Sequence, residues 1–228
     1  MTISIMQNIW TLVKKTHELN SMEAALNALK PTRWQCDIVN GQRLTVYSRA
    51  REAIEMCQFG QKLSQGTTVT HPEFGKVHVS LSSDDDFHYF LNGLPSQGED
   101  VCRQLVADPE SMLPGKGNWS LFEPESWRGN QYWVPKTDED FFLPLEEYYI
   151  ENFIRPLDPD YEDSYEAYYE LPMDGFLSLP PDLIGSKKQQ QEQKKRYLEY
   201  IRVMTSEKTA QEYYKQLDQQ MIQQMVQA

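Results

Sequence analysis

The amino-acid sequence predicts an α+β protein. It should hold a small antiparallel sheet from two β-hairpins, packed by N-terminal helices, with an aromatic-rich, mostly helical C-terminal half. Three observations predict this. Apolar residues recur at helical spacing near both ends of the chain, and the pattern turns to short strand-like runs around turn residues between positions 33 and 82. In addition, 15 of the 27 aromatic residues lie between Trp119 and Phe176, a density that suits packed structure better than a disordered acidic tail. At 228 residues and 39% apolar composition the chain is long enough for a real core, and a mean hydropathy of -0.66 with no long apolar run predicts no transmembrane helix.

Ile5, Ile9, Leu12 and Val13 place a helix over residues 3–19, and Asn20-Ser21 caps a second short helix carrying Met22, Ala25, Leu26 and Leu29 up to Pro31. From Trp34 to Val39 and from Arg43 to Tyr47 the chain reads as two strands joined by Asn40-Gly41, because a type I′ turn needs positive φ at both central residues. A helix is expected within residues 50–64. A second hairpin then joins Thr67–His71 to Lys76–Leu81 through Pro72-Glu73-Phe74-Gly75. Ser82 or Ser83 caps a helix with Asp84, Asp85 and Asp86 in its first turn, where the macrodipole favours anions, and Asn92-Gly93 ends it. Residues 98–106 form a further short helix, Ser126–Val134 a small hairpin over Gly129-Asn130, and residues 138–154 a helix with Pro144 in its first turns. Five prolines between Pro156 and Pro181 predict an extended strap, and Lys187–Met204 and Ser206–Val226 close the chain as helices. The expected organisation is a body of residues 1–136, an acidic aromatic helix and strap over 137–186, and C-terminal helices over 187–228 that join the body in one compact unit.

Charge is the most uneven property of the chain. Residues 137–174 hold 13 acids against one base, Arg155, so that this stretch alone carries a net charge equal to the -12 of the whole chain. Such a field disfavours nucleic acid and anionic lipid and favours a basic partner. Within it, residues 158–170 alternate tyrosines with carboxylates. Tyrosine docks with little loss of side-chain entropy and stacks on arginine, while acids steer a basic surface into place. Tyr161, Tyr165, Tyr168 and Tyr169 are therefore the expected anchors, with Asp158, Asp160, Glu162, Asp163 and Glu166 as steering charges. The competing reading of the same residues is that the tyrosines pack onto the protein's own body. Lys187, Lys188, Lys194, Lys195 and Arg196 form a basic run that is read as a solvated helix face.

No nucleotide-binding loop or nucleophile elbow occurs in the sequence. His71, His78 and His88 fall within 18 residues beside three aspartates, but their spacing matches no metal motif, and they are read as strand and cap residues. Cys36, Cys57 and Cys102 are odd in number and lack CxxC spacing, which points to reduced thiols in a cytoplasm; the N-terminus, with Lys14 and Lys15 after its apolar residues, reads as no secretory signal. The expected function is thus that of a non-enzymatic cytoplasmic accessory or inhibitory protein, without cofactor or metal, that binds a basic protein through residues 138–170. The alternative is an enzyme or small-ligand-binding protein with a site between the sheet and Trp119, Trp127 and Trp133, with His71, His78 or His88 as polar participants. Self-association through Tyr213–Met225 is a third expectation.

Overall fold

A computed structural model describes residues 8–63, 66–79, 84–127, 130–159, 202–203 and 206–227. The chain divides into two compact units, one of Met1–Leu44 with Leu143–Ala228 and one of Thr45–Phe142.

In the first unit, α1 (Ile9–Leu19) starts at Asn8, whose side chain accepts from the Thr11 N–H, and buries Ile9, Leu12, Val13 and Thr16 on one stripe. Asn20 ends it in the left-handed conformation, and Ser21 caps α2 (Met22–Leu29) by accepting from the Ala24 N–H. These two helices pack on each other, and α2 packs on α8 (Leu143–Tyr149), which runs on into a π-helical turn over Ile150–Ile154. The closing helix, α9 (Glu207–Gln227), begins at Ser206, whose hydroxyl accepts from the Thr209 N–H.

The expected first hairpin does not form. Residues 34–47 lie instead in α3 (Arg33–Met56), which runs into the first part of the region 50–64 where a later helix was expected; α4 (Gln58–Leu63) takes up most of the remainder. The physical reason is a helical stripe that outweighs the turn signal. Cys36, Val39, Tyr47, Ala50 and Ile54 are all buried and recur at three- and four-residue steps or their sums, and a glycine inside a helix costs only about 1 kcal/mol. The start of α3 is set by a reciprocal cap: the Thr32 N–H donates to Gln35 Oε1 at 2.8 Å, and the Gln35 N–H to Thr32 Oγ1 at 3.4 Å.

In the second unit the sheet has four strands in the order β1-β2-β4-β3, where β1 is Thr67–His71, β2 Gly75–Val79, β3 Phe122–Trp127 and β4 Asn130–Pro135. It is mixed rather than antiparallel. Each hairpin is antiparallel, but β2 and β4 run parallel, with His78 opposite Tyr132 and Val79 opposite Trp133. The second hairpin of the sheet is therefore supplied by residues 122–135, not by residues 34–47. The helices α1 and α2, expected to pack this sheet, belong to the other unit. Around the strands the chain forms α5 (Asp84–Gly93), α6 (Glu99–Ala107) and the short α7 (Pro109–Met112), and Phe90, Leu91, Leu94, Leu105, Leu113, Leu121, Phe122 and Phe142 are almost wholly buried. The end of α5 approaches the backbone of Asp138 so closely that a Cβ on Gly93 would lie 2.6 Å from that carbonyl oxygen.

Candidate functional site

Of the acidic segment, the structure describes residues 138–159. Asp138 and Asp140 are exposed, and Asp138 Oδ1 accepts from the Asp140 N–H at 3.1 Å. In α8 and the π-helical turn the rings and the carboxylates part company. Leu145, Tyr149, Ile150 and Ile154 are buried, and Phe153 closes edge-on against Tyr148 and Tyr149 with ring centroids 6.1 and 5.4 Å away. Tyr148 donates to the Pro31 carbonyl at 3.3 Å. Glu147 and Glu151 are exposed, Glu151 pairing with Arg155 one turn on, whereas Glu146 is half-buried and accepts from Arg43 at 2.8 Å. Here the aromatic residues are turned to the protein's own contacts, while the carboxylates of Glu147 and Glu151 are offered to solvent. Asp158 is half-buried, its N–H bonded to the Ile154 carbonyl at 3.0 Å. Asp160, Tyr161, Glu162, Asp163, Tyr165, Glu166, Tyr168 and Tyr169 lie outside the described residues, as does the basic run from Lys187 to Arg196.

Among the described residues of the first unit, a polar cluster forms around Arg33 that the sequence reading did not point to. On one turn of α3, Arg33 and Asp37 face α8 and α9. The Arg33 Nε–H donates to the Tyr149 hydroxyl at 2.8 Å and a terminal guanidinium N–H donates to Asp218 at 2.8 Å, while its guanidinium carbon sits 4.3 Å from the Tyr214 ring centre. Asp37 is wholly buried and accepts from the Tyr214 hydroxyl. Burial and the adjacent Asp37 charge push the Tyr149 phenol well above its ordinary value, so at neutral pH it is a neutral acceptor for Arg33. Burial pulls the Arg33 guanidinium down, but Tyr149 and Asp218 outweigh that pull and hold it charged. Ala210 and Tyr214 meet Trp34, Ile38 and Leu44 beside the cluster. A signal existed in the sequence: Ala210, Tyr214 and Asp218 stand four apart, on one stripe of a helix.

The histidines are dispersed. His71 pairs with Gly75 and His78 with Thr68, so strand alternation sends the two side chains to opposite faces: His71 is buried and His78 exposed. They do not approach across the hairpin. His88 is bonded to the Tyr47 hydroxyl and stacked on that ring. His71 alone joins the tryptophans, its ring centre 4.5 Å from Trp133 and 4.8 Å from Trp119, with Phe74 at 5.0 Å. Its Nδ1 accepts from the Glu73 and Phe74 N–H groups at 3.1 and 3.4 Å, which places the proton on Nε2 and ties the ring to the turn. Among the described residues, no hydrogen-bond acceptor meets the buried indole N–H groups of Trp119 and Trp133.

Burial raises all three unbridged thiols, Cys102 to about 12, and its Sγ–H donates to the Leu94 carbonyl at 3.5 Å. An activated thiolate is shifted the other way. Among the described residues no three His, Cys, Asp or Glu side chains gather in a manner suited to a metal ion, and no helix is long and apolar enough to cross a membrane. No family model matches the chain, nor does any curated protein or solved structure.

Proposed function

We propose that this protein is a non-enzymatic accessory or inhibitory protein of the cytoplasm that binds a basic partner protein through its acidic, tyrosine-rich segment 138–170. The observation that carries the reading is the concentration of charge: residues 137–174 hold 13 acids and one base, and the remainder of the chain is neutral in sum. The exposed carboxylates of Asp138, Asp140, Glu147 and Glu151 support it, since they add to the field without contributing to packing. Tyr148 and Tyr149 are committed to internal contacts, which leaves Tyr161, Tyr165, Tyr168 and Tyr169 as the proposed anchors. Long-range attraction of this kind acts mainly on the rate of encounter, by a factor of 10 to about 10³, and fades with salt.

The test is affinity capture from a cell extract, with co-purifying proteins identified by mass spectrometry. It is repeated with Asp158, Asp160, Glu162, Asp163 and Glu166 changed together to Lys. Basic proteins captured by the natural chain should be lost, by at least tenfold at low salt. Equal capture with equal salt sensitivity defeats the proposal.

One observation favours a second reading, a small-ligand site at the aromatic cluster: the buried indole N–H groups of Trp119 and Trp133 beside His71, which meet no acceptor among the described residues. A ligand carbonyl or carboxylate would satisfy such donors. Thermal-shift screening with small carboxylates and amides, on the natural protein and on His71→Ala, tests it; no stabilising compound, or equal stabilisation of both proteins, counts against the site.

A further inference from the structure

We propose that the turn between β1 and β2 is an acid-released lid over Trp133, latched by His71. The latch is one lone pair. His71 Nδ1 accepts from two successive backbone donors, the Glu73 N–H at 3.1 Å and the Phe74 N–H at 3.4 Å, and so ties residues 72–74 back to the end of β1. The lid is the pair of rings that this closure lays on Trp133: that of His71, stacked with centres 4.5 Å apart, and that of Phe74, tilted at 5.9 Å. Beneath them Trp133 is only 5% exposed, whereas Phe74 is 46% exposed and residues 72–76 are all open to water.

Imidazole is the side chain whose ordinary charge change falls between pH 8 and 5. Nε2 of His71 already carries a hydrogen, so a proton from water can add only at Nδ1, where it turns the acceptor into a donor aimed at two other donors. Both amides then lose their partner at once, and the cation sits in a side chain 8% exposed. Stacking on Trp133 favours a cation, but one such contact does not offset two unmet donors and the lost hydration of a charge. The groups facing His71 from the turn, from the loop before β3 and from β4 are the rings of Phe74, Trp119 and Trp133, none of them charged. The charged residues of these and the adjoining segments, Glu73, Lys76, Lys116, Glu123, Glu125 and Lys136, are exposed, and among the described residues none bonds to His71. Opening the turn relieves the conflict, because water reaches the freed amides and the charged ring. The closed turn therefore takes the neutral ring: its hold is complete at alkaline pH and is lost as pH falls. The remainder of the hairpin has no such dependence, since residues 67–70 pair with residues 76–79 through the backbone and Val77 and Val79 are buried. Opening stays confined to the turn.

The lid needs neither a partner nor a ligand, and its test leaves residues 158–170 unchanged. The full chain, labelled with nitrogen-15, is followed by NMR at pH 7.5 and pH 5.0. The His71 ring nitrogens should report the Nε2–H form at the higher pH and the imidazolium at the lower. Over the same interval the protection of the Glu73 and Phe74 amides, taken relative to the intrinsic exchange rate at each pH, should fall at least tenfold, with Val77 and Val79 changing less than twofold. The Trp133 indole N–H should exchange with water at least tenfold faster, relative to free indole, once the lid is open. His71→Phe puts in the same place a ring that neither accepts nor titrates, and should leave the Glu73 and Phe74 amides unprotected at both pH values. The proposal is overturned if His71 stays neutral at pH 5.0, if it charges while Glu73 and Phe74 stay protected, or if Val77 and Val79 lose protection with them. A turn that still responds to pH in His71→Phe overturns it as well; should that variant not fold, the titration of the natural chain decides by the first three outcomes.

Discussion

Replacing Tyr214 by Phe removes the hydroxyl that donates to the wholly buried Asp37 carboxylate. The phenyl ring retains the packing against Trp34 and Ile38 and remains over the Arg33 guanidinium, so apolar burial and the cation–π contact are conserved. What is lost is a hydrogen bond to a charged acceptor, which contributes about 1.5–3 kcal/mol because Asp37, with 0% exposure, has no access to replacement water while α9 is docked. A loss of about 2 kcal/mol corresponds to roughly a 30-fold fall in the docking equilibrium of α9. Hydrogen exchange of α9 amides reads this directly, as a fall of about 30-fold in protection with α1 unaffected. The same substitution in an Asp37→Leu background removes a hydroxyl that no longer has its acceptor and should leave protection unchanged or raise it. The difference between the two backgrounds isolates the pair. An equal fall in both, or a fall of less than threefold in the natural background, refutes the assignment of the hydroxyl as the bond that seats this helix.

Two further outcomes follow from other parts of the fold. Gly60→Ala would place a Cβ 2.0 Å from the Ile54 carbonyl oxygen, a backbone atom at the end of α3 that cannot turn aside. It should destabilise the second unit by about 3 kcal/mol in a urea titration. Gly75→Ala, at φ 70° but in open space, should cost only about 1 kcal/mol, and equal losses at the two sites would contradict the steric account. The second concerns pH. Burial raises the Cys36 and Cys102 thiols above their ordinary value of 9.0, so folding favours the neutral form. Their stabilisation is complete below pH 9 and declines as pH rises, through about 12 for Cys102. Each thiol should subtract about 1.4 kcal/mol by pH 10. The Tyr149 phenol, raised by burial, adds a loss of the same sign above its ordinary 10.0. Urea midpoints at pH 7 and 10 should show the decline, and Cys102→Ala should flatten it; an unchanged slope in that variant would assign the alkaline loss elsewhere.

Legibility in the sequence varied with the range of the deciding interaction. The helices α1, α2 and α5 were readable because their stripes and their start or stop residues, Asn20, Ser21 and Gly93 among them, act over a few positions. The strands of β1 and β2 announced themselves through alternation around Pro72–Gly75. Asn40-Gly41 misled for the opposite reason: a strong local turn preference lost to a stripe from Cys36 to Ile54 whose value depends on what it packs against. The Thr32–Gln35 cap was present in the sequence and argued for the helix. At the candidate sites, the charge of residues 137–174 was wholly legible, but the sorting of Tyr148, Tyr149 and Phe153 inward from Glu147 and Glu151 was not, since it depends on neighbours elsewhere in the chain.

By itself, the sequence determined composition-level and local properties: the segregated negative charge, the absence of a long apolar run, and the helices and turns encoded over short windows. Tertiary structure alone decided that residues 34–47 are helical, that the sheet is mixed, that His71 and His78 point apart, and that Arg33 and Asp37 meet Tyr214 and Asp218 across at least 177 residues of chain. The physical reason is common to all four. Burial energy depends on which faces meet, and that is a property of the folded chain rather than of any stretch of it.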